Sequence, residues 1–220
     1  MSVSTPPRNP GDEVRWYDRN PRQEMLPFLP AQVTRALEVG CASGVFGMAI
    51  KERFGAEVWG MEYNAETADL ARRHLDHVVT GDATTQVETL PDDYFDFVCC
   101  NDVLEHLVDP WTFLSRLKPK LTPNATVVSS IPNIRYFHAL ETILRDRDFP
   151  TLPDGIFDRT HLRFFTHKSI ERMFVDTGYR IERIVGINPT RKFRYRLRNA
   201  LSFGAMADQR YLQFACVVHP

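Results

Sequence analysis

The sequence predicts a doubly wound α/β domain, a mostly parallel sheet with helices on both faces. Three observations carry that expectation. Apolar runs of strand length alternate with stretches of helical periodicity from about residue 34 onward, the pattern of successive βαβ units. Residues that start and stop helices fall between the runs. A small-residue turn, Gly40 to Gly44, separates the first strand from the first helix, at the edge where ligands of open α/β sheets bind.

The elements follow in order. A Pro-rich, polar arm (1–12) leads to a docking segment ending at residue 33, in which Trp16, Tyr17, Met25, Leu26 and Phe28 offer apolar surface. The domain proper is expected over 34–220, as one unit. Its first strand (36–40) feeds a helix over 45–55 closed by Gly55, and the second (57–62) passes Asn64, an N-cap residue, into a helix over 65–75. A third strand falls at 77–83 and a fourth at 95–101, after which Asp109 and Pro110 open a helix over 110–119. The fifth, 125–132, precedes a helical stretch at 136–145 and a less regular insert, 146–165. Thr166 then starts a helix with Ile170, Met173 and Phe174 on one face, and Gly178 stops it. Two last strands, near 179–187 and 210–218, flank a basic segment.

Composition narrows the function. The chain has 220 residues, 43% hydrophobic and 25% charged, with a formal net charge of -1, so nothing global directs it to nucleic acid or a membrane. No apolar run approaches the roughly 20 residues of a bilayer span, and the start lacks the apolar core of a signal peptide; a cytoplasmic location is expected. Cys41, Cys99, Cys100 and Cys216 form no CxxC pair, and no histidine stands at zinc-ligand spacing from them. Buried thiols and no metal are the expectation.

Gly40 and Gly44 let a ligand approach the backbone, and the helix that follows offers free N–H groups to an anionic end. Glu62 ends the second strand 22 positions after Gly40, where a carboxylate can accept both hydroxyls of a ribose. An adenosine ligand follows from that spacing. A nicotinamide dinucleotide would want Gly-x-Gly-x-x-Gly, whereas these positions read Gly40, Ala42 and Val45.

Here the sequence resembles the class I S-adenosylmethionine-dependent methyltransferases, whose first motif is similar to Glu38-Val39-Gly40-Cys41-Ala42-Ser43-Gly44. Gly81-Asp82-Ala83 resembles the element that holds the adenine, with Asp82 accepting from its exocyclic amine. Phe95 to Val98, followed by Asn101 to Leu107, resembles the fourth strand and the loop beside the methionyl half of the cofactor. The resemblance implies a Rossmann-like, seven-stranded sheet with antiparallel last strands. It places Tyr17, Glu38, Gly40, Ala42, Gly44, Glu62, Tyr63, Asp82, Ala83, Asn101 and Val103 around S-adenosylmethionine. Ala42 stands where many members have a second glycine, and an alanine there is expected to need a negative φ.

For a hydroxyl acceptor the protein must also remove a proton, most often with histidine. Of the seven histidines, His74 and His77 flank the second helix away from the ligand edge, His167 opens a later helix and His219 is terminal. His161 and His106 remain as candidate bases, His161 first, with His138 a distant third. The insert from Asp158 to Thr166 resembles a segment of bacterial methyltransferases of polysaccharide and small-molecule biosynthesis. Arg159 and Arg163 in it, with Asn133 and Arg135 after the fifth strand, are the candidate acceptor-binding residues. Arg191, Lys192, Arg194, Arg196 and Arg198, interleaved with Phe193, Tyr195 and Leu197, form either a solvated face or a contact for an anionic acceptor or a membrane surface.

The expectation is therefore O-methyl transfer to a small molecule or saccharide. N- or C-methylation, a nicotinamide-dependent oxidoreductase lacking an evident Tyr-x-x-x-Lys pair, and a non-catalytic S-adenosylmethionine-binding module are the alternatives.

Overall fold

Every predicted strand forms. In the computed structural model, which describes residues 22–220, the strands are β1 (Arg35–Val39), β2 (Glu57–Glu62), β3 (His77–Thr80), β4 (Phe95–Asn101), β5 (Leu121–Pro132), β6 (Arg180–Pro189) and β7 (Tyr211–His219). The helices are α1 (Val45–Phe54), α2 (Ala65–Ala71), α3 (Ala83–Gln86), α4 (Pro110–Leu117), α5 (Phe137–Glu141), α6 (His167–Asp176) and α7 (Phe193–Leu201). The seven-stranded sheet runs β3-β2-β1-β4-β5-β7-β6. β1 pairs in parallel with β2 and β4, while β7 is antiparallel to both β5 and β6. The order of growth reverses between β1 and β4, and that switch point opens a crevice at the carboxyl ends of the strands.

Local chemistry sets the helix limits. Asn64 caps α2 by accepting from the Thr67 N–H (3.0 Å), Asp109 caps α4 from Thr112 (3.0 Å), and Thr166 with Ser169 makes a capping box for α6. Each such cap stabilises a helix by about 1 kcal/mol. α3 and α7 were not foreseen. The first is a single turn capped by Asp82, and the second lies within the basic segment.

The pleat sends alternate residues of β4 to opposite faces. Phe97 and Cys99 join Ala36, Val58, Phe46 and Ile50 on one side, while Val98 and Cys100 meet Leu37, Phe113, Ile170 and Phe174 on the other. All four cysteines are buried and unpaired, and burial pushes the Cys100 and Cys216 thiols up to about 12, so they stay protonated. Met25 and Phe28 of the docking segment pack into the first of these layers. Trp16, Tyr17 and the arm lie outside the described residues.

Candidate functional site

After β1 the backbone passes through Gly40, Ala42 and Gly44, with φ of 66°, 47° and 83°. The expectation for Ala42 is corrected: it occupies the left-handed region, at roughly 1–2 kcal/mol for a residue with a Cβ. Its N–H donates to Glu62 Oε2 (2.9 Å), which offsets part of that strain and ties the turn to the end of β2. Glu62 Oε1 accepts from the Asn64 N–H (2.9 Å). One backbone bond at each oxygen fixes the carboxylate and leaves acceptor capacity on both oxygens, which suits a ribose diol. A Cβ on Gly40 would come within 2.6 Å of Val103 Cγ2, so the loop after β4 lies hard against the turn.

Beneath the turn, buried Glu38 accepts from the Gly47 N–H (2.8 Å) in the first turn of α1. Burial outweighs that bond and pushes its carboxyl up to about 8. Because the folded pKa lies above the ordinary value of 4.5, the folded state holds the extra proton, and stability falls as pH rises from there through about 8. Glu38→Gln keeps the acceptor but not the proton. Wild type should lose on the order of 5–10 °C of Tm more than the variant between pH 5 and 8, a few kcal/mol at most. Equal slopes in a thermal-shift series would show that Glu38 stays ionised.

Asp82 Oδ1 accepts from the Thr84 N–H (2.8 Å), and the carboxylate is otherwise exposed at the ligand edge beside Ala83. Tyr63 is exposed next to Glu62. At the end of β4 both amide atoms of Asn101 are buried without a protein partner among the described residues, and a polar group of a bound ligand would satisfy them. These features fit an adenosine-bearing cofactor. Sequence reasoning missed a polar knot beside them. Asp102, left-handed at φ 54°, accepts from Arg22, from Ser130 Oγ (2.8 Å) and from Gln213 Nε2 (2.6 Å), and Arg22 also reaches Ser130 Oγ (2.8 Å). Its hydrogen bonds join residues 28 to 111 positions apart, and no local pattern marks them.

The acceptor side is assembled by backbone bonds. The N–H groups of Leu162 and Arg163 both donate to the Glu105 carbonyl (2.9 and 3.0 Å), and the Arg163 guanidinium donates to the Val108 carbonyl. The insert is thereby held against the loop after β4, with the His106 and His161 rings edge to face at 4.7 Å between centroids. Nδ1 of His161 faces the Ile156 carbonyl (3.0 Å) and Nδ1 of His106 the Thr160 carbonyl (3.2 Å). A carbonyl only accepts, so each Nδ1 carries a proton, and the neutral form of either ring has its lone pair on Nε2. Glu105 is 1% exposed, and Oε1 stands 4.0 Å from His161 Nε2. Burial, then the Asp102 charge, pushes the Glu105 carboxyl well above the usual range; burial, then His161, lowers His106.

Other candidates are placed differently. Asn133 is fully buried, donates to the Asp208 and Tyr211 carbonyls (2.9 and 3.0 Å) and accepts from the Arg135 N–H (3.0 Å). Its amide braces the chain after β5. The Arg135 guanidinium is likewise held by the Asp208 carboxylate. Arg159 is exposed in the insert. His77 stacks on Trp59 (4.2 Å), His219 pairs with Glu182 (2.9 Å), and His138 stands 3.7 Å from Glu141, all away from the cluster.

A switch point with the braced Glu62 carboxylate at the end of β2 and a partly buried Glu105-His106-His161 cluster after β4 is the arrangement of a nucleoside-cofactor-dependent α/β enzyme. Residues 14–184 match the methyltransferase domain family. The chain belongs to this family, in the class I, S-adenosylmethionine-dependent group. The ubiquinone biosynthesis O-methyltransferase of Psychrobacter arcticus is 29% identical over 174 residues, 72% of this chain and 64% of the relative. That of Coxiella burnetii is 25% identical over 203 residues, 88% of this chain and 82% of the relative. The chain spans less than two thirds of the P. arcticus relative and of its Bradyrhizobium diazoefficiens counterpart, at 64% and 61%. Among solved structures, a SAM-dependent methyltransferase from Archaeoglobus fulgidus superposes with a TM-score of 0.64 at 19% identity, covering 94% of each chain. A possible histamine N-methyltransferase from Thermotoga maritima gives 0.64 at 17%, covering 94% of this chain and 90% of that one.

Proposed function

We propose that the chain transfers a methyl group from S-adenosylmethionine to a hydroxyl of a small molecule or saccharide. The observation that carries this reading is the partly buried cluster of Glu105 and His106, after β4, with His161 of the insert, where an acceptor oxygen must lose its proton. A neutral amine can attack through its lone pair without such a group. The relatives named as O-methyltransferases support the same choice.

The bound cofactor supplies an activated methyl group on its sulfonium. The chain's residues do the rest. Glu62 holds the ribose, Asp82 with Ala83 the adenine, Asn101 and Val103 border the methionyl half, and the insert closes over the acceptor. His161, its ring fixed through Nδ1, is the residue that acts on the acceptor's hydroxyl. Offering phenols, sugars and nucleotide sugars with S-adenosylmethionine and locating the added methyl by mass spectrometry tests the reading; methylation only at nitrogen or carbon would refute it.

The basic segment belongs to the same proposal, as a peripheral contact. The connection carrying α7 leaves β6 at Pro189 and enters β7 at Tyr211, beside the carboxyl end of β5, on the ligand edge. Tyr195 is buried, while Phe193, Leu197 and Leu201 line one stripe at 72%, 49% and 73% exposure. Arg196 flanks the stripe on one side, and Arg194 and Arg198 on the other, the arrangement of a helix that lies in an anionic interface. Arg194 also pairs with Glu141 (2.9 Å). Leu197→Asp with Leu201→Asp should cut binding to phosphatidylglycerol vesicles at least about tenfold, and neutralising Arg191, Arg194 and Arg196 should make the remainder insensitive to salt. Vesicle flotation unchanged by either set would return the segment to a solvated face. Among the described residues no helix is long and apolar enough to cross a membrane, and a cytoplasmic enzyme that touches a bilayer is the proposed setting.

A further inference from the structure

The geometry points to a divalent transition-metal site, of the zinc type, held by Glu105, His106 and His161. One ligand atom from each of the three lies within 4.8 Å of the others. Donors around a common ion at about 2.0–2.2 Å stand roughly 3–3.6 Å apart, so closure needs a movement of about 1 Å by side chains carried on loops.

Two independent features mark the cluster as a receptor for a cation. Both carboxylate oxygens of Glu105 are buried with no hydrogen-bond partner among the described residues. A carboxylate in that state is unfavourable unless a cation or a proton joins it. Both histidines donate Nδ1–H to a backbone carbonyl, at 3.0 and 3.2 Å, which fixes the ring and directs the Nε2 lone pair elsewhere. That is the outer-shell arrangement of metal-ligating histidines. Two imidazoles favour a first-row transition ion over magnesium or calcium. Three protein donors leave an open position, as in catalytic rather than structural zinc sites. Asp102 is not a fourth donor, because its oxygens already accept from Arg22, Ser130 and Gln213. The expectation of no metal arose from the cysteines alone, and His161 reaches the pair Glu105-His106 only through the fold.

Under the hydroxyl reading proposed above, the acceptor oxygen takes the open position and gives its proton to water. Its lone pair then forms the new O–C bond as the methyl C–S bond breaks, and that electron pair stays on sulfur. The site itself does not depend on this step.

The test is calorimetric titration of the chelator-treated full chain with Zn2+. One equivalent should bind with Kd at or below about 1 μM. His161→Ala and Glu105→Gln should each weaken binding at least about a hundredfold while retaining circular dichroism and affinity for S-adenosylhomocysteine, and His106→Ala serves should either misfold. The absence of saturable binding tighter than about 100 μM to wild type, or equal binding by the folded variants, would overturn the site. Zn2+ bound without methylation of any hydroxyl removes the acceptor reading and keeps the site; hydroxyl methylation by a chain that binds no Zn2+ does the reverse.

Discussion

His161→Ala is expected to lower the rate of methyl transfer to a hydroxyl by ~10²–10⁴-fold while leaving affinity for S-adenosylhomocysteine within about twofold. The split follows from position. His161 sits in the insert, its ring edge against His106 and its Nε2 4.0 Å from Glu105, whereas Glu62, the acid proposed to hold the ribose, lies at the end of β2. Whether the ring acts directly on the acceptor's proton or through a cation, its removal strips the oxygen of activation without touching the adenosine side. His106→Ala should cost less, since its ring is the more exposed of the two and its Nδ1 is held by a carbonyl of the same insert. Single-turnover transfer, with ligand affinity measured in parallel, checks both. Wild-type single-turnover rates in both variants, with a verified hydroxyl acceptor, would leave alignment of the reactants as the whole mechanism.

Glu62→Ala should weaken S-adenosylhomocysteine binding by at least about tenfold. Two charge-assisted hydrogen bonds to ribose hydroxyls are each worth on the order of 1.5–3 kcal/mol, and every 1.4 kcal/mol is about tenfold in affinity. A further loss comes from the protein, because Glu62 also accepts from the Ala42 and Asn64 N–H groups. Without it the left-handed Ala42 loses the bond that compensates it, and the turn loosens. Glu62→Gln can keep one of the backbone bonds but not the charge, so its loss should fall between the two proteins. Calorimetry on the three resolves the contributions, and equal affinities would move the adenosine away from β2.

The sheet was legible because its information is local. Strand-length apolar runs, Asn64, Asp109 with Pro110, and Thr166 each act within a few residues, and each appears where its type belongs. The cofactor half was legible for a related reason: turn and acid sit at the ends of adjacent strands, so spacing along the chain stands in for distance. The acceptor half was only partly so. His106 and His161 were singled out separately, but their contact depends on two backbone bonds made 57 and 58 residues away, from Leu162 and Arg163 to Glu105. Asn133 and Arg135 both brace residue 208, which no local pattern shows, because a polar residue after a strand looks the same in the sequence whether it meets a ligand or a neighbouring loop. The backbone sign at Ala42 was misread because a bond from Glu62, twenty positions on, holds it.

The two amide bonds from the insert to the Glu105 carbonyl make the acceptor half a separately detachable unit. A local opening that breaks them need disturb no pairing between the seven strands, since among the described residues the insert's β-pairing with the chain after β5 is an isolated bridge between Asn133 and Phe165, although Ile156 and Phe157 also pack near Leu212 of β7. On the proposed reading, such an opening would part the histidines while leaving the turn after β1 and the Glu62 carboxylate in place. Turnover in such a protein is set by the fraction of time the insert is down as well as by the chemistry beneath it, and substitutions far from either histidine can act solely by changing that fraction.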